Sequence, residues 1–310
     1  MNIEQQVLRG CKRSIAKIIT MVEEQSSEAT GILSNIYEHT GKAKIIGITG
    51  PPGSGKSSIV NQLTRLLRSK NKKVGIIAVD PTSPFTGGAL LGDRVRMQEL
   101  TLDEGVFIRS MGSRGALGGL SRASYDAAKV MDAAGMDYVL IETVGVGQSE
   151  VDIVKLADIV VLVLIPGMGD DIQAIKAGIM EIGDIFVVNK ADRDGAAMLV
   201  KEIEMMFDLN LEKTKHRPPV IKTIATSGEG IQDLEHRLND VWNYLVTSDI
   251  LYQRRKNRVR SELFNLLNDK FLKMLKNTYS DKIEELIDNI INKKQDPYSS
   301  AESIFKEISL

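Results

Sequence analysis

One cysteine and three histidines are all that this 310-residue chain holds of the residues that build disulfides and soft-metal centres. Cys11 has no partner within the chain, so an internal bridge is excluded and a reducing compartment is expected. His39, His216 and His236 are widely separated from one another and from Cys11, so no metal-binding tract is written here. An excess of charge is missing too. Lys and Arg total 40 against 41 Asp and Glu, a formal net charge of −1, which argues against binding nucleic acid or an acidic membrane through bulk charge. No run of 18 apolar residues occurs; the stretch 159–165 reads as a buried strand, far too short to span a bilayer. The first six residues, Met1 to Gln6, lack the basic and apolar segments of a signal peptide. These absences lead to the expectation of a soluble cytoplasmic protein with neither nucleic acid nor membrane as partner.

The apolar pattern divides the chain into three parts. In residues 1–42, Val7, Leu8, Cys11, Ile15, Ile18, Ile19 and Val22 recur at helical spacing, with no strand signal. In residues 43–246, β-branched runs alternate with helical stretches, and strands are predicted at 44–49, 73–79, 105–109, 137–141, 158–165, 184–189 and 219–224. That alternation implies parallel βαβ units in a doubly wound α/β sheet, whose ligands sit at the carboxyl ends of the strands. In residues 247–310 strands cease: Val259, Leu263, Leu266, Leu267, Phe271, Met274 and Leu275 mark a long helix. Two more helices are predicted after it, broken at Asp296-Pro297. Such a stripe needs an apolar partner, either the chain's own α/β domain or, the reading favoured here, a second subunit. Five basic residues between Arg254 and Arg260 have no aromatic residues among them and read as a solvated helix face.

The octapeptide Gly50-Pro51-Pro52-Gly53-Ser54-Gly55-Lys56-Ser57 matches G-x-x-x-x-G-K-[ST] between a predicted strand and a predicted helix. A loop of this kind wraps backbone N–H groups around phosphates, and the helix N-terminus adds a favourable dipole. Lys56 is expected on the β- and γ-phosphates, and the Ser57 hydroxyl on Mg²⁺.

The choice of base is written in Asn189-Lys190-Ala191-Asp192, directly after the sixth predicted strand. A carboxylate at Asp192 accepts from both the imino N–H and the exocyclic amine of guanine. Adenine presents it with a lone pair instead, and polar matching of this kind rejects the wrong ligand by about 10⁴-fold. Asn189 is expected to brace the loop, Lys190 to lie along the base, and the Ala225 backbone to close over the guanine carbonyl. Carboxylates suited to hold hydrated Mg²⁺ are Asp80 and Glu142, at strand ends, and Asp93, in a loop. Glu142-Thr143-Val144-Gly145 stands where many GTPases carry D-x-x-G, with Gly145 placed to offer its N–H to the γ-phosphate.

Longer stretches carry a family resemblance. Val79-Asp80-Pro81-Thr82-Ser83-Pro84, Gly92-Asp93-Arg94-Val95-Arg96-Met97, Arg114-Gly115-Ala116-Leu117-Gly118-Gly119-Leu120 and Glu142-Thr143-Val144-Gly145-Val146-Gly147-Gln148-Ser149-Glu150 resemble the methylmalonyl-CoA mutase-associated GTPases (MeaB/ArgK) over roughly residues 13–245. The resemblance implies a P-loop GTPase of the metallochaperone-like type that dimerises through C-terminal helices. It also implies a chaperone role, in which GTP hydrolysis gates cofactor loading and protects an adenosylcobalamin-dependent acyl-CoA mutase. The implied nucleotide-binding set runs from Gly50 through Ser58, with Gly145, Asn189, Lys190, Asp192 and Ala225; Mg²⁺ falls to Ser57, Asp80, Asp93 and Glu142. Lys56, Asp93, Glu142 and Lys176 are the implied catalytic residues, and Asp170, Gln173 and Lys176 relay the nucleotide state from a further switch at 166–183.

Val146 follows Gly145 where fast small GTPases have a water-orienting glutamine, so slow intrinsic hydrolysis is expected, about 10⁻⁴ to 10⁻² s⁻¹. Arg109 and Arg114 are candidates for stabilising charge, or for salt bridges. The rival readings are a metal-delivery GTPase, disfavoured by the scarce His and Cys, and an ATP-using transport-associated kinase or ATPase, disfavoured by Asp192. A non-catalytic interaction module is the third.

Overall fold

A computed structural model describes residues 2–80, 98–112, 122–143, 148–167, 182–210 and 217–308. Seven strands form one sheet: β1 (Lys44–Thr49), β2 (Val74–Asp80), β3 (Val106–Gly112), β4 (Tyr138–Glu142), β5 (Ile159–Leu164), β6 (Ile185–Asn189) and β7 (Val220–Thr223). Their order is β3-β2-β4-β1-β5-β6-β7 and every described pairing is parallel. The doubly wound α/β sheet expected from the sequence is therefore present, with each strand within a few residues of its predicted place.

Burial on both faces explains why these strands read as continuous apolar runs. Successive side chains point to opposite faces. Ile45, Ile77, Val139, Ile141 and Val160 join one core with α1 (Ile3–Leu8), α2 (Lys12–Glu23), α3 (Ser27–Ile36), and the helices spanning Arg122–Ala133 and Gln148–Leu156. Ile46, Ile48, Ile76, Leu140, Val161 and Val163 face the other side, under the helices Lys56–Ser69 and Ile231–Thr247. A third cluster joins Leu162, Leu164, Phe186 and Val188 to Leu199 and Ile203 of the helix Ala196–Asn210.

The N-terminal helices are integral to the first core. Ile15, Ile18, Ile19 and Val22 form the buried stripe of α2. The buried Asp132 carboxylate accepts the N–H groups of Gly41, Lys42 and Ala43, tying the chain down as it enters β1.

By internal contacts the chain forms two compact units, Met1–Tyr252 and Gln253–Leu310. The second holds most of the long helix Ile250–Thr278 and the helices Ser280–Ile291 and Pro297–Ile308. Asp296 starts the last of these: its Oδ1 accepts from the N–H of Tyr298 (2.9 Å) and Ser299 (3.0 Å), while Pro297 takes the first helical position, where no N–H is needed. Hydrogen bonds from Ser299 hold the Asp296 carboxyl below its ordinary pKa. Val259, Leu263, Phe264, Leu267 and Phe271 are exposed on the long helix, as are Ile291 and Phe305 on the other two.

Candidate nucleotide-binding site

The loop between β1 and the helix Lys56–Ser69 lies at the carboxyl edge of the sheet, between neighbours β4 and β5. Three of its glycines, Gly50, Gly53 and Gly55, have positive φ, and at two of them a side chain would also collide. Gly50 has φ +139°, and a Cβ there would stand 2.1 Å from the Val163 carbonyl oxygen. Gly55 has φ +93°, and a Cβ there would meet the Asn189 Nδ2 at 2.2 Å. Gly55 immediately precedes the helix, so the unshared N–H groups of its first turn open onto the loop.

Lys56 is buried, and its ammonium donates to the carbonyls of Gly50 (2.8 Å) and Pro51 (2.9 Å). The cation is thus already stripped of most of its water at the loop. Beside it is a cleft of about 250 Å³ lined by Gly53, Gly55, Lys56, Ser57, Ser58, Glu142 and Lys190. The Ser54 hydroxyl is buried and makes no hydrogen bond among the described residues.

Three other loops meet this one. Ser57 Oγ donates to Glu142 Oε1 at 2.5 Å, and Glu142 is buried at the end of β4. Asn189, the last residue of β6, is 2% exposed and links two loops. Its Nδ2 donates to the Ser54 carbonyl (2.8 Å), and its Oδ1 accepts from Thr223 Oγ1 (3.0 Å) and from the Ala225 N–H (3.1 Å). Lys190, at φ +56°, donates to the Gly53 carbonyl at 2.8 Å. Asp192 is exposed in the same turn, two residues beyond.

The oxygen donors Ser57 and Glu142, together at a helix N-terminus, fit a hard divalent cation such as Mg²⁺. Among the described residues no three His, Cys, Asp or Glu side chains converge. Asp80 ends β2, two positions beyond Ala78, which pairs with Glu142; only its backbone is described. Asp93, Arg114, Gly145, Val146, Asp170, Gln173 and Lys176 lie outside the described residues.

Ala225 gives its N–H to Asn189 Oδ1, which fastens its loop to the turn after β6. Arg109, entertained as a catalytic charge, donates to Thr20 Oγ1 (3.0 Å) and pairs with Glu23, tying β3 to α2. Its salt-bridge alternative is the one seen. Sequence reasoning missed Thr223, which supports Asn189. It also missed Thr49 and Thr143, both buried, whose hydroxyls share a 2.8 Å hydrogen bond. A lone threonine at a strand end is too common to stand out.

Known proteins resemble this chain in sequence and in fold. A Pyrococcus horikoshii protein provisionally named a GTPase is 50% identical over 303 residues, covering 97% of this chain and 95% of that one. The GTPase ArgK of Escherichia coli is 36% identical over 258 residues, 81% of this chain and 78% of its own. Among solved structures, one described as a LAO/AO transport system kinase superposes with a TM-score of 0.71 at 26% identity, covering 99% of this chain and 97% of that one. The family model for the methylmalonyl-CoA mutase-associated GTPase MeaB matches residues 15–280, and the chain belongs to that family.

Proposed function

We propose that this chain binds GTP with Mg²⁺, hydrolyses it slowly alone, and uses the cycle to gate cofactor loading and to protect an adenosylcobalamin-dependent acyl-CoA mutase. The observation that carries the nucleotide part is Asn189. One buried side chain joins the phosphate loop, the turn bearing Asp192 and the loop at Ala225. A polar turn with no role in reading a base has no need to be bonded to the phosphate loop. The mutase part rests on membership of the MeaB family.

The chemistry follows from placement. Lys56 exchanges its two carbonyl partners for phosphate oxygens, and because it is already buried this costs little further desolvation. Loop N–H groups at the helix start take up negative charge as it spreads over the transferring group. Ser57, Glu142, Asp80 and Asp93 hold Mg²⁺, which when bound neutralises charge on the phosphate oxygens. Asp192 reads guanine, with the Lys190 stem along the ring. Lys176, with Asp170 and Gln173, relays the nucleotide state to the partner. Valine at 146 cannot orient water, so the mutase supplies the acceleration.

The exposed stripe Val259, Leu263, Leu267 and Phe271 recurs every fourth residue on the long helix and supports a homodimer formed through the C-terminal helices. The single cysteine supports a reducing, cytoplasmic compartment, and the balanced charge supports a protein without nucleic-acid or acidic-membrane partners. Among the described residues no helix is long and apolar enough to cross a membrane. Single-turnover GTP hydrolysis with and without a cognate mutase tests the proposal. A slow rate raised by the mutase is expected; fast turnover alone, or no effect of any acyl-CoA mutase, contradicts it.

A further inference from the structure

Thr49 and Thr143 occupy a place that catalytic arguments leave untouched. Thr49 is the last residue of β1, directly before Gly50, and Thr143 directly follows Glu142 at the end of β4. Both are buried, at 0% and 1% exposure, and their hydroxyl oxygens are 2.8 Å apart. The Thr143 N–H donates to the Ile48 carbonyl at 3.1 Å, and Ile48 is the strand partner of Glu142. The last residue of β4 and the one after it therefore grip the phosphate loop from opposite ends. Thr143 holds the residue before it, and Glu142 holds Ser57, just past Lys56.

Volume alone does not call for hydroxyls here, since valine has nearly the same shape and the neighbouring strands are rich in it. An apolar pair of equal size would be about as stable as a buried, satisfied polar pair. What the hydroxyls add is direction, because a hydrogen bond fixes both side-chain torsions and with them the offset of one strand end against the other. Groups that orient a metal-binding carboxylate without touching the metal change metal affinity through that orientation.

We propose that Thr49 and Thr143 are a positioning pair that sets the Glu142 carboxylate against Ser57, and so determines how strongly the site holds a divalent cation beside a bound guanine nucleotide. This rests on the GTPase reading above. Neither threonine touches the nucleotide or the cation; both act through Glu142 and the loop.

The test uses the full chain and a fluorescent N-methylanthraniloyl-GDP, titrated once with excess Mg²⁺ and once with EDTA, so that the readout is binding and not turnover. The ratio of the two dissociation constants is the metal's contribution. In the double variant Thr49→Val/Thr143→Val, the EDTA affinity and melting temperature stay near wild type, the affinity within about twofold. The ratio falls by roughly tenfold or more. Thr143→Ser, which keeps the hydroxyl, retains the wild-type ratio. If the double variant does not fold, Thr143→Ala is read in the same way. An undiminished ratio overturns the inference, and so does an equal loss of affinity in Mg²⁺ and EDTA, which would make the pair a support of the loop only. Wild-type protein that fails to bind labelled GDP defeats the GTPase reading and this inference together. Binding with a metal-dependent gain that the double variant keeps defeats the inference alone.

Discussion

Replacing Asn189 by alanine removes three hydrogen bonds, of 2.8, 3.0 and 3.1 Å, from a residue that is 2% exposed. The groups left behind are the Ser54 carbonyl, the Thr223 hydroxyl and the Ala225 N–H; Ser54, Thr223 and Ala225 are all buried. At about 1 kcal/mol for each neutral bond, the loss comes to about 3 kcal/mol, and more if the stranded groups find no water. The structure does not require that this appear in one observable. If the loops stay ordered without nucleotide, the loss is one of stability, worth about 6–12 °C in melting temperature for a unit of this size. If nucleotide orders them, it is a loss of affinity, roughly 150-fold in the GDP dissociation constant. Calorimetric GDP titration and thermal unfolding of the same preparation measure both, and their free energies are expected to sum to about 3 kcal/mol. Asn189→Asp keeps the acceptor for Thr223 and Ala225 but turns an oxygen toward the Ser54 carbonyl, so it is expected to be at least as damaging. An Asn189→Ala protein with wild-type melting and wild-type GDP affinity would refute the reasoning that this side chain joins the loops.

Gly50→Ala places a methyl group 2.1 Å from the Val163 carbonyl oxygen at φ +139°, and is expected to cost about 3 kcal/mol or more in denaturant unfolding and to abolish GDP binding. Arg68 forks onto Asp103 (Nε at 3.0 Å, Nη2 at 2.9 Å), and this guanidinium holds the Asp103 carboxyl below its ordinary pKa. A lowered carboxyl pKa stabilises above the unfolded value, about pH 4, and the stabilisation is lost as pH falls through the folded value. Asp103→Asn should accordingly lower stability by about 1 kcal/mol at neutral pH and by less near pH 3, followed by urea unfolding. Leu263→Glu/Leu267→Glu charges the exposed stripe of the long helix; light scattering should give twice the chain mass for wild type and the chain mass for the variant. A wild-type monomer would contradict the dimer.

The strands were legible because each is an apolar β-branched run buried on both faces, a pattern that needs no knowledge of partners. The phosphate loop and Asn189 were legible because their chemistry demands fixed residues at fixed spacing. Contacts made across the sheet left no such trace. Thr143 finds Thr49 94 residues upstream, and Arg109 finds Glu23 86 residues upstream, pairings that exist only once the strand order is known. The bond from the Ala225 N–H to Asn189, made across 36 residues, is of the same kind. The helical character of residues 1–42 was plain from periodicity; that these helices share a core with β1, β2 and β4 was not, since an amphipathic stripe does not name the surface that covers it.

The central claim is that this site selects guanine through the turn carrying Asp192. Dissociation constants for GDP and ADP, measured by calorimetry on one preparation with Mg²⁺, test it most directly. GDP is expected to bind at least about 10⁴-fold more tightly. ADP binding of comparable strength would contradict the assignment.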